Sequence, residues 1–208
     1  MKENYALIFE KTLAELGKSG KRPRLLLHAC CAPCSSACLE SLARVFEITV
    51  YFYNPNISPE EEFSFREKEL LRFLSEAGYS SVGVEAPAYD PAPFYALAAG
   101  REDLPEGGAR CYDCYALRLE KTAEAARAGG YDYFTTTLSV SPYKNAAWLN
   151  ELGLAAGEKY GVPYLCSDFK KKDGYKRSIE LSKQYDLYRQ DYCGCEFSRR
   201  ARHGEDGA

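Results

Sequence analysis

Seven of the nine cysteines in this sequence stand in three close groups. Thiolates gathered in this way are typical ligands of soft metal ions and of iron–sulfur clusters. A spare pair of neighbouring thiols can instead cycle between dithiol and disulfide and so carry two electrons. The spacing therefore indicates a metal centre, a redox pair, or both. The three groups are Cys30-Cys31-Ala-Pro-Cys34, Cys111-Tyr-Asp-Cys114 and Cys193-Gly-Cys195.

The first two groups together offer the four thiolates that a [4Fe-4S] cluster takes. Adjacent side chains diverge in an extended chain, so Cys30 and Cys31 would reach two irons of a cluster, or two different metals, more readily than one small ion. A structural zinc site is the rival interpretation, since thiolates also suit tetrahedral zinc. We expect the two remaining cysteines, Cys38 and Cys166, to be small buried hydrophobes.

The third group has a different chemistry. A disulfide between Cys193 and Cys195 would close a small, strained ring that is easily reduced, and Gly194 supplies the backbone freedom that such a ring needs. This favours a redox relay, with two thiols that merely pack or bind metal as the alternative. The segment from Cys31 to Cys34 also resembles the C-x-x-C of thioredoxin-like oxidoreductases, although the strand–helix alternation here runs far longer than that small fold.

The composition indicates one globular domain outside the membrane. A chain of 208 residues with 46% hydrophobic content can bury one core, and we expect a single α/β domain over residues 1–198 with a disordered polar tail over 199–208. No run approaches the roughly 18 apolar residues of a membrane span, and the N-terminus lacks the pattern of a signal peptide. We therefore expect a cytoplasmic protein, in which clustered cysteines are metal ligands or redox groups rather than structural disulfides.

Hydrophobic periodicity predicts strands that alternate with helices. Such alternation is typical of a parallel sheet covered on both faces. The predicted strands are 24–29, 47–53, 82–85, 131–135 and 163–166, and the predicted helices are 3–17, 35–46, 59–77, 111–128, 145–158 and 178–188.

Polar and thiol side chains follow four of these strands directly. Ligands of parallel sheets bind beyond the carboxyl ends of the strands, so we expect these side chains to form one site. His28, within the first strand, is expected to be a core residue. Asp168 could be a metal ligand, a proton donor or a plain loop carboxylate. The segments concerned are Cys30-Cys31, Asn54-Pro-Asn56, Thr135-Thr-Thr137 and Asp168.

The net charge of −3 hides a basic segment near the C-terminus. Lys170-Lys-Lys-Asp-Gly-Tyr-Lys-Arg177 carries five basic side chains and one acidic one. Such a patch can hold the phosphates of a nucleic acid even on an acidic protein, or it can be a solvated loop.

With these motifs in order, the chain resembles the QueH family of epoxyqueuosine reductases over roughly residues 24–198. The motifs that carry the resemblance are His28-Ala-Cys-Cys-Ala-Pro-Cys34, Tyr51-Phe-Tyr-Asn-Pro-Asn-Ile57, Arg110-Cys-Tyr-Asp-Cys-Tyr-Ala-Leu-Arg-Leu119, Phe134-Thr-Thr-Thr-Leu138, Ser141-Pro-Tyr-Lys-Asn145, Asp168-Phe-Lys-Lys-Lys-Asp-Gly-Tyr-Lys-Arg177 and Tyr188-Arg-Gln-Asp-Tyr-Cys-Gly-Cys195.

The resemblance implies a Rossmann-like fold of the adenine nucleotide alpha-hydrolase (HUP-like) type. It implies an enzyme that removes the epoxide oxygen of epoxyqueuosine in the tRNA anticodon, the last step of queuosine synthesis. It further implies a [4Fe-4S] cluster, an adjacent mononuclear iron and an external electron donor. The implied cluster ligands are Cys30, Cys31, Cys111 and Cys114. The implied redox pair is Cys193 and Cys195. The candidates for the second metal or for proton delivery are Cys34 and Asp168. In the reductase that the resemblance implies, residues 170–177 together with Arg199, Arg200 and Arg202 would hold the anticodon arm by its phosphates.

The same residues leave two other functions open. A zinc-stabilised RNA-binding module would use the same thiolates and the same basic patch. A thiol–disulfide oxidoreductase would need neither metal nor RNA. The metal content separates these alternatives, because a cluster protein carries iron and sulfide whereas a zinc protein is colourless.

Overall fold

The structure, a computed structural model, describes residues 3–18 and 20–204. Within these ranges four strands form one sheet in the order β3-β2-β1-β4, and every neighbouring pair is parallel. The predicted α/β class, with a parallel Rossmann-like sheet in a single domain, is thereby confirmed. The strands are β1 (Arg24–His28), β2 (Glu47–Tyr51), β3 (Gly83–Glu85) and β4 (Tyr133–Thr136).

Helices cover both faces of this sheet. Leu25 and Leu27 of β1 belong to one hydrophobic core, whereas Leu26 between them belongs to the other, as the alternation of side chains along a strand requires. None of the helices in the described ranges has the length and apolar character of a membrane span. The helices are α1 (Tyr5–Lys18), α2 (Ala32–Leu42), α3 (Glu60–Glu76), α4 (Ala92–Ala98), α5 (Ala109–Ala128), α6 (Ala146–Tyr160), α7 (Gly174–Gln184) and α8 (Glu196–His203), with a 3-10 turn at Thr137–Val140.

The strand order creates a switch point beside β1. The chain adds β2 and then β3 on one side of β1, and later returns to place β4 on the other side. The connections after β1 and β4 therefore run in opposite directions and leave a crevice between them at the carboxyl edge of the sheet. Both the Cys30-Cys31 pair and the Thr135–Thr137 run lie at this edge.

The strand predicted at 163–166 is replaced by one isolated bridge between Phe134 and Tyr164. Side chains take over the hydrogen bonds that a longer strand would have made. The Thr135 hydroxyl donates to the Leu165 carbonyl at 2.8 Å, and the Asn150 amide binds both the N–H and the carbonyl of Ser167, at 2.9 and 2.8 Å. The segment is therefore fixed, but it does not extend the sheet.

The predicted disordered tail is helical over most of its described part. Helix α8 runs to His203, and the remaining tail residues 205–208 lie outside the described ranges. The helix forms because the Cys195 side chain caps its first turn and Phe197, only 8% exposed, packs into a small core with Phe94. The predicted tail is polar in composition, and Phe197, whose burial fixes the helix, stands two residues before it.

We expect Gly153→Ala to destabilise the fold by about 1–3 kcal/mol, because a Cβ atom there would lie 2.4 Å from the buried ring of Tyr164. Urea unfolding followed by circular dichroism measures the effect. Gly17→Ala is the matched control, since it is also a helical glycine but has open space around it; it should be neutral or stabilising by up to about 1 kcal/mol. Equal stability of the two variants would contradict the close packing of α6 on Tyr164.

Candidate metal and redox site

Residues that follow β1 and β4 line a cavity of about 330 Å³ at the switch point. This volume lies at the lower end of the range for small-molecule sites, which is about 300–1,000 Å³. Helix α5 and the segment before α8 complete its walls. The lining includes the reactive or charged side chains of Cys30, Cys34, Arg118, Lys144 and Cys193. Its exposed members are Pro142, Tyr143, Arg189, Asp191 and Arg202.

Three cysteines meet where β1 passes into α2. The Sγ atoms of Cys30, Cys31 and Cys34 all lie within 4.8 Å of one another, and those of Cys30 and Cys31 are 3.8 Å apart. The local sequence explains this geometry, because Cys31 is the N-cap of α2 and accepts the N–H of Cys34 at 3.4 Å, while Pro33 suits the first turn. Buried sulfurs at this spacing could bind a metal.

One of these three thiols carries negative charge most readily. Hydrogen bonds from Cys31 and Cys34, together with nearby Arg118, outweigh burial and hold the pKa of Cys30 well below its usual range. Burial instead raises the pKa of Cys31 to about 12. Metal binding requires thiolates, so a bound cation would favour the loss of the protons that Cys31 and Cys34 otherwise keep.

One face of α5 points the second cysteine group toward the same region. Cys111, Cys114 and Arg118 follow at helical spacing, and all three are buried. Cys111 packs in the same buried group as Cys30 and Cys31, and its sulfur accepts the N–H of Gly107 at 3.3 Å. Cys114 packs instead with Cys195, at the other end of the site. Helix α5 thus joins the three-cysteine cluster to the C-terminal pair.

Arg118 is the central polar residue of the site, and it is only 1% exposed. Its guanidinium donates to Asn54 Oδ1 at 2.7 Å and to His28 Nε2 at 3.3 Å. His28 is fully buried and also contacts the Thr136 hydroxyl at 2.8 Å, so it is the core residue that the sequence predicted. Burial and Arg118 lower its pKa to about 3, which keeps the imidazole neutral.

A second buried arginine approaches the cysteines from α3. Arg66 is 1% exposed, forms an ion pair with Glu62 at 2.7 Å and donates to the Cys193 carbonyl at 3.3 Å. Neither arginine is among the site residues that the sequence predicts. For Arg118 a signal was present, since it stands seven residues after Cys111 and four after Cys114 on one helical face; Arg66 carried no comparable mark.

The C-terminal pair is asymmetric. Cys193 lines the cavity, and its sulfur lies 3.1 Å from the ammonium of Lys144. The hydrogen bond from Cys195, with Lys144 and Arg118, outweighs burial and holds the pKa of Cys193 well below its usual range. Cys195 is 6% exposed and accepts the N–H of Ser198 at 3.4 Å; its hydrogen bond to Cys193 and its burial raise its pKa.

Asp168 lies apart from the cysteines. It lines a second pocket of about 850 Å³ between α1 and the start of α6, and it forms an ion pair with Lys170 at 3.0 Å. Its position after the last predicted strand had suggested that it would face the same site as the cysteines, as a candidate for metal binding or proton delivery. The reason for the difference is the missing fifth strand, since Asn150 fixes the neighbouring Ser167 from α6 and the chain turns toward α1.

Comparison with known proteins decides the family. The family model described as "Epoxyqueuosine reductase QueH" matches residues 25–201. The chain belongs to the QueH family. It is 44% identical over 203 residues to the epoxyqueuosine reductase QueH of Staphylococcus epidermidis, covering 95% of this chain and 85% of that protein. It is 42% identical to that of Streptococcus pyogenes, covering 95% and 78%, and 37% identical to that of Thermotoga maritima, covering 87% and 94%.

The basic QueH-type segment at 170–177 is largely engaged in internal ion pairs. Lys170 pairs with Asp168, Lys172 with Glu10 of α1, and Arg177 with Glu40 and Glu180. These pairs fasten α1, α2 and α7 to the loop between them. Fewer of its positive charges are therefore left for an anionic ligand than the sequence indicated.

We expect Arg118→Met to destabilise this QueH-family chain by at least about 2 kcal/mol, because each buried acceptor left unsatisfied costs about 1–3 kcal/mol. Denaturant unfolding under anaerobic conditions, at matched metal content, measures the loss. Arg127→Met is the control, since Arg127 is exposed in the last turn of the same helix and should change stability by less than about 0.5 kcal/mol. A loss no larger than that of the control would contradict the structural role of Arg118.

Proposed function

We propose that this chain is an epoxyqueuosine reductase, which converts epoxyqueuosine in tRNA to queuosine by a two-electron deoxygenation. In this reaction both C–O bonds of the epoxide break, a C=C bond forms, and the oxygen leaves as water after taking up two protons. The observation that carries the proposal, beside the family match, is that one cavity is lined by Cys30 and Cys34 of the three-cysteine cluster and by Cys193 of the C-terminal pair.

The proposed metal ligands are the cysteines of the three-cysteine cluster and the two cysteines of α5. When bound, a [4Fe-4S] cluster would pass single electrons and an adjacent iron would act as a Lewis acid toward the departing oxygen. The spacing of the three sulfurs of residues 30–34 and the buried cations Arg66 and Arg118 support thiolate ligation at this place. The proposed cluster ligands are Cys30, Cys31, Cys111 and Cys114, with Cys34 as a candidate ligand of the second metal.

The proposed source of the electron pair is the dithiol of Cys193 and Cys195. Closing the disulfide releases two electrons and the proton of Cys195, and the solvent supplies the second proton that the deoxygenation consumes. An external electron donor then restores the dithiol. Both residues are free thiols in the structure, and Gly194 between them has φ +116, a conformation that L side chains rarely adopt. Asp168 is left out of the catalytic set, since it lines the other pocket.

The proposed substrate is the anticodon arm of a tRNA, whose modified base would enter the cavity. The entrance to the cavity carries two arginines over aromatic rings, together with the acidic Asp191: Arg202 lies over the ring of Tyr143 at 5.4 Å, and Arg189 over that of Tyr175 at 5.9 Å. Such side chains can stack an unpaired base and attract its phosphates. The reducing cytoplasm is the proposed location, since it would keep the nine thiols free.

We expect protein purified anaerobically to be brown and to contain iron and acid-labile sulfide, and Cys30→Ser to lose most of both. Iron and sulfide assays with visible absorption measure this. Cys166→Ser is the matched control, because Cys166 is half-buried, is not one of the three clustered sulfurs and does not line the cavity, and it should keep the full metal content. Colourless protein that binds zinc would instead favour the zinc-stabilised RNA-binding module.

We expect Cys193→Ser and Cys195→Ser each to abolish repeated conversion of epoxyqueuosine-containing tRNA under a chemical reductant, because one sulfur cannot close a disulfide. Mass spectrometry of the released nucleosides, which detects the loss of one oxygen atom, gives the rate. Both variants should keep the iron content of the wild type. Repeated turnover of both at the wild-type rate would refute the dithiol as electron source, and failure of the wild type to convert the tRNA would refute the proposed function.

A further inference from the structure

Lys144 is buried against the sulfur of Cys193 instead of reaching solvent. Its side chain is 7% exposed, and its ammonium lies 3.1 Å from Cys193 Sγ and 3.4 Å from Glu106 Oε1. A buried ammonium is costly unless it is paired with negative charge, and the long flexible chain of lysine could readily place it in water. The burial of Lys144 is therefore explained by its two partners.

A closed ring of hydrogen bonds fixes this contact. Glu106 accepts Lys144 on one carboxylate oxygen and the Ser198 hydroxyl, at 2.9 Å, on the other. The same Ser198 oxygen accepts the N–H of Cys193 at 3.0 Å, which returns the ring to the sulfur-bearing residue. Since each member is held by two others, the ammonium and the sulfur are positioned together rather than brought together by chance.

The two sulfurs of the pair differ in what faces them. Cys193 lines the cavity and faces a full positive charge, whereas Cys195 packs against Phe94 and Phe197 and receives one peptide N–H, from Ser198. The other cations near Cys193 do not remove this difference, since Arg66 binds its carbonyl oxygen and Arg118 is engaged by His28 and Asn54.

We propose that Lys144 is a positioning residue that stabilises the dithiol form of the Cys193–Cys195 pair and makes Cys193 the sulfur that reacts in the cavity. This inference rests on the redox role proposed above for the pair. In the reduced pair, negative charge on Cys193 is matched by Lys144. In the disulfide neither sulfur carries charge. The buried ammonium of Lys144 then keeps Glu106 as an anionic partner but no longer faces a negative charge on Cys193.

The step that Lys144 biases is balanced thiol–disulfide exchange. Two thiols of an external dithiol reduce the Cys193–Cys195 disulfide: its S–S bond breaks and the S–S bond of the oxidised reductant forms. One proton of the reductant passes to Cys195 and the other to the solvent, so that Cys193 is left as the thiolate that faces Lys144. Stabilising the reduced pair raises its reduction potential, as in thiol oxidants whose reduced form is stabilised. Glu106 acts in the opposite direction, because it competes with Cys193 for the ammonium.

The test is a redox titration of the full, metal-loaded chain in dithiothreitol buffers at one pH, with thiol trapping and peptide mass spectrometry of the 193–195 segment. We expect Lys144→Met to lower the equilibrium constant for reduction at least about tenfold, which is about 30 mV for two electrons. Lys144→Arg should stay within about threefold of the wild type, since it keeps the charge. Glu106→Gln should shift the constant in the opposite direction to Lys144→Met.

Lys159→Met is the matched control, since it removes an exposed ion pair between Lys159 of α6 and Glu120 of α5 and should leave the equilibrium unchanged. In a Cys195→Ser background, hydroxyethyl disulfide should form a mixed disulfide on Cys193 at least about tenfold faster when Lys144 is present than in the Lys144→Met variant.

Equal equilibrium constants for reduction of the wild type and Lys144→Met, or a shift of the same sign for Glu106→Gln, would overturn the inference. If Lys144→Met fails to fold, Glu106→Gln and Lys144→Arg decide alone. Failure of the wild type to form the disulfide would refute the redox role itself.

Discussion

Buried sulfur that must carry negative charge needs buried positive charge beside it, and the architecture of this site follows from that requirement. Arg66 reaches the cysteines from α3, Arg118 from α5, and Lys144 from the segment before α6. Each of these cations is at most 8% exposed. A cation removed from water is costly unless nearby acceptors compensate it, and carboxylates, an amide and a neutral imidazole serve these three. The compensation is incomplete at Arg66, whose Nη2 has no hydrogen-bond partner among the described residues.

The sheet places these groups within reach of one another. Because β1 lies between β2 and β4, the crevice at its carboxyl edge is bordered by α2 on one side and by the chain that follows β4 on the other. Helix α5 then crosses this edge with one polar face, so that two cysteines and an arginine enter from a single element. The Cys193–Cys195 segment closes the cavity because its backbone is held by Arg66 and by Ser198.

The basic side chains in the interior of the site differ in exposure from those at its entrance. The cations that face the sulfurs are buried, whereas Arg189 and Arg202 are exposed and lie over aromatic rings. In the basic segment 170–177, Lys172 and Arg177 form ion pairs with glutamates of α1, α2 and α7. A local run of positive charge is therefore a weaker guide to an anion site than the pairing state of each side chain.

The sequence by itself determined the α/β class, the positions of the four strands that form, the three cysteine groups and the family to which the chain belongs. These features are local or cumulative, since periodicity, turn residues and motif spacing act over short stretches of chain. Only the tertiary structure decided that residues 163–166 make one bridge rather than a strand, that Asp168 faces another pocket, and that α8 is folded. It alone revealed Arg66 and the contact of Lys144 with Cys193, because residues 49 positions apart meet only when the whole chain has folded.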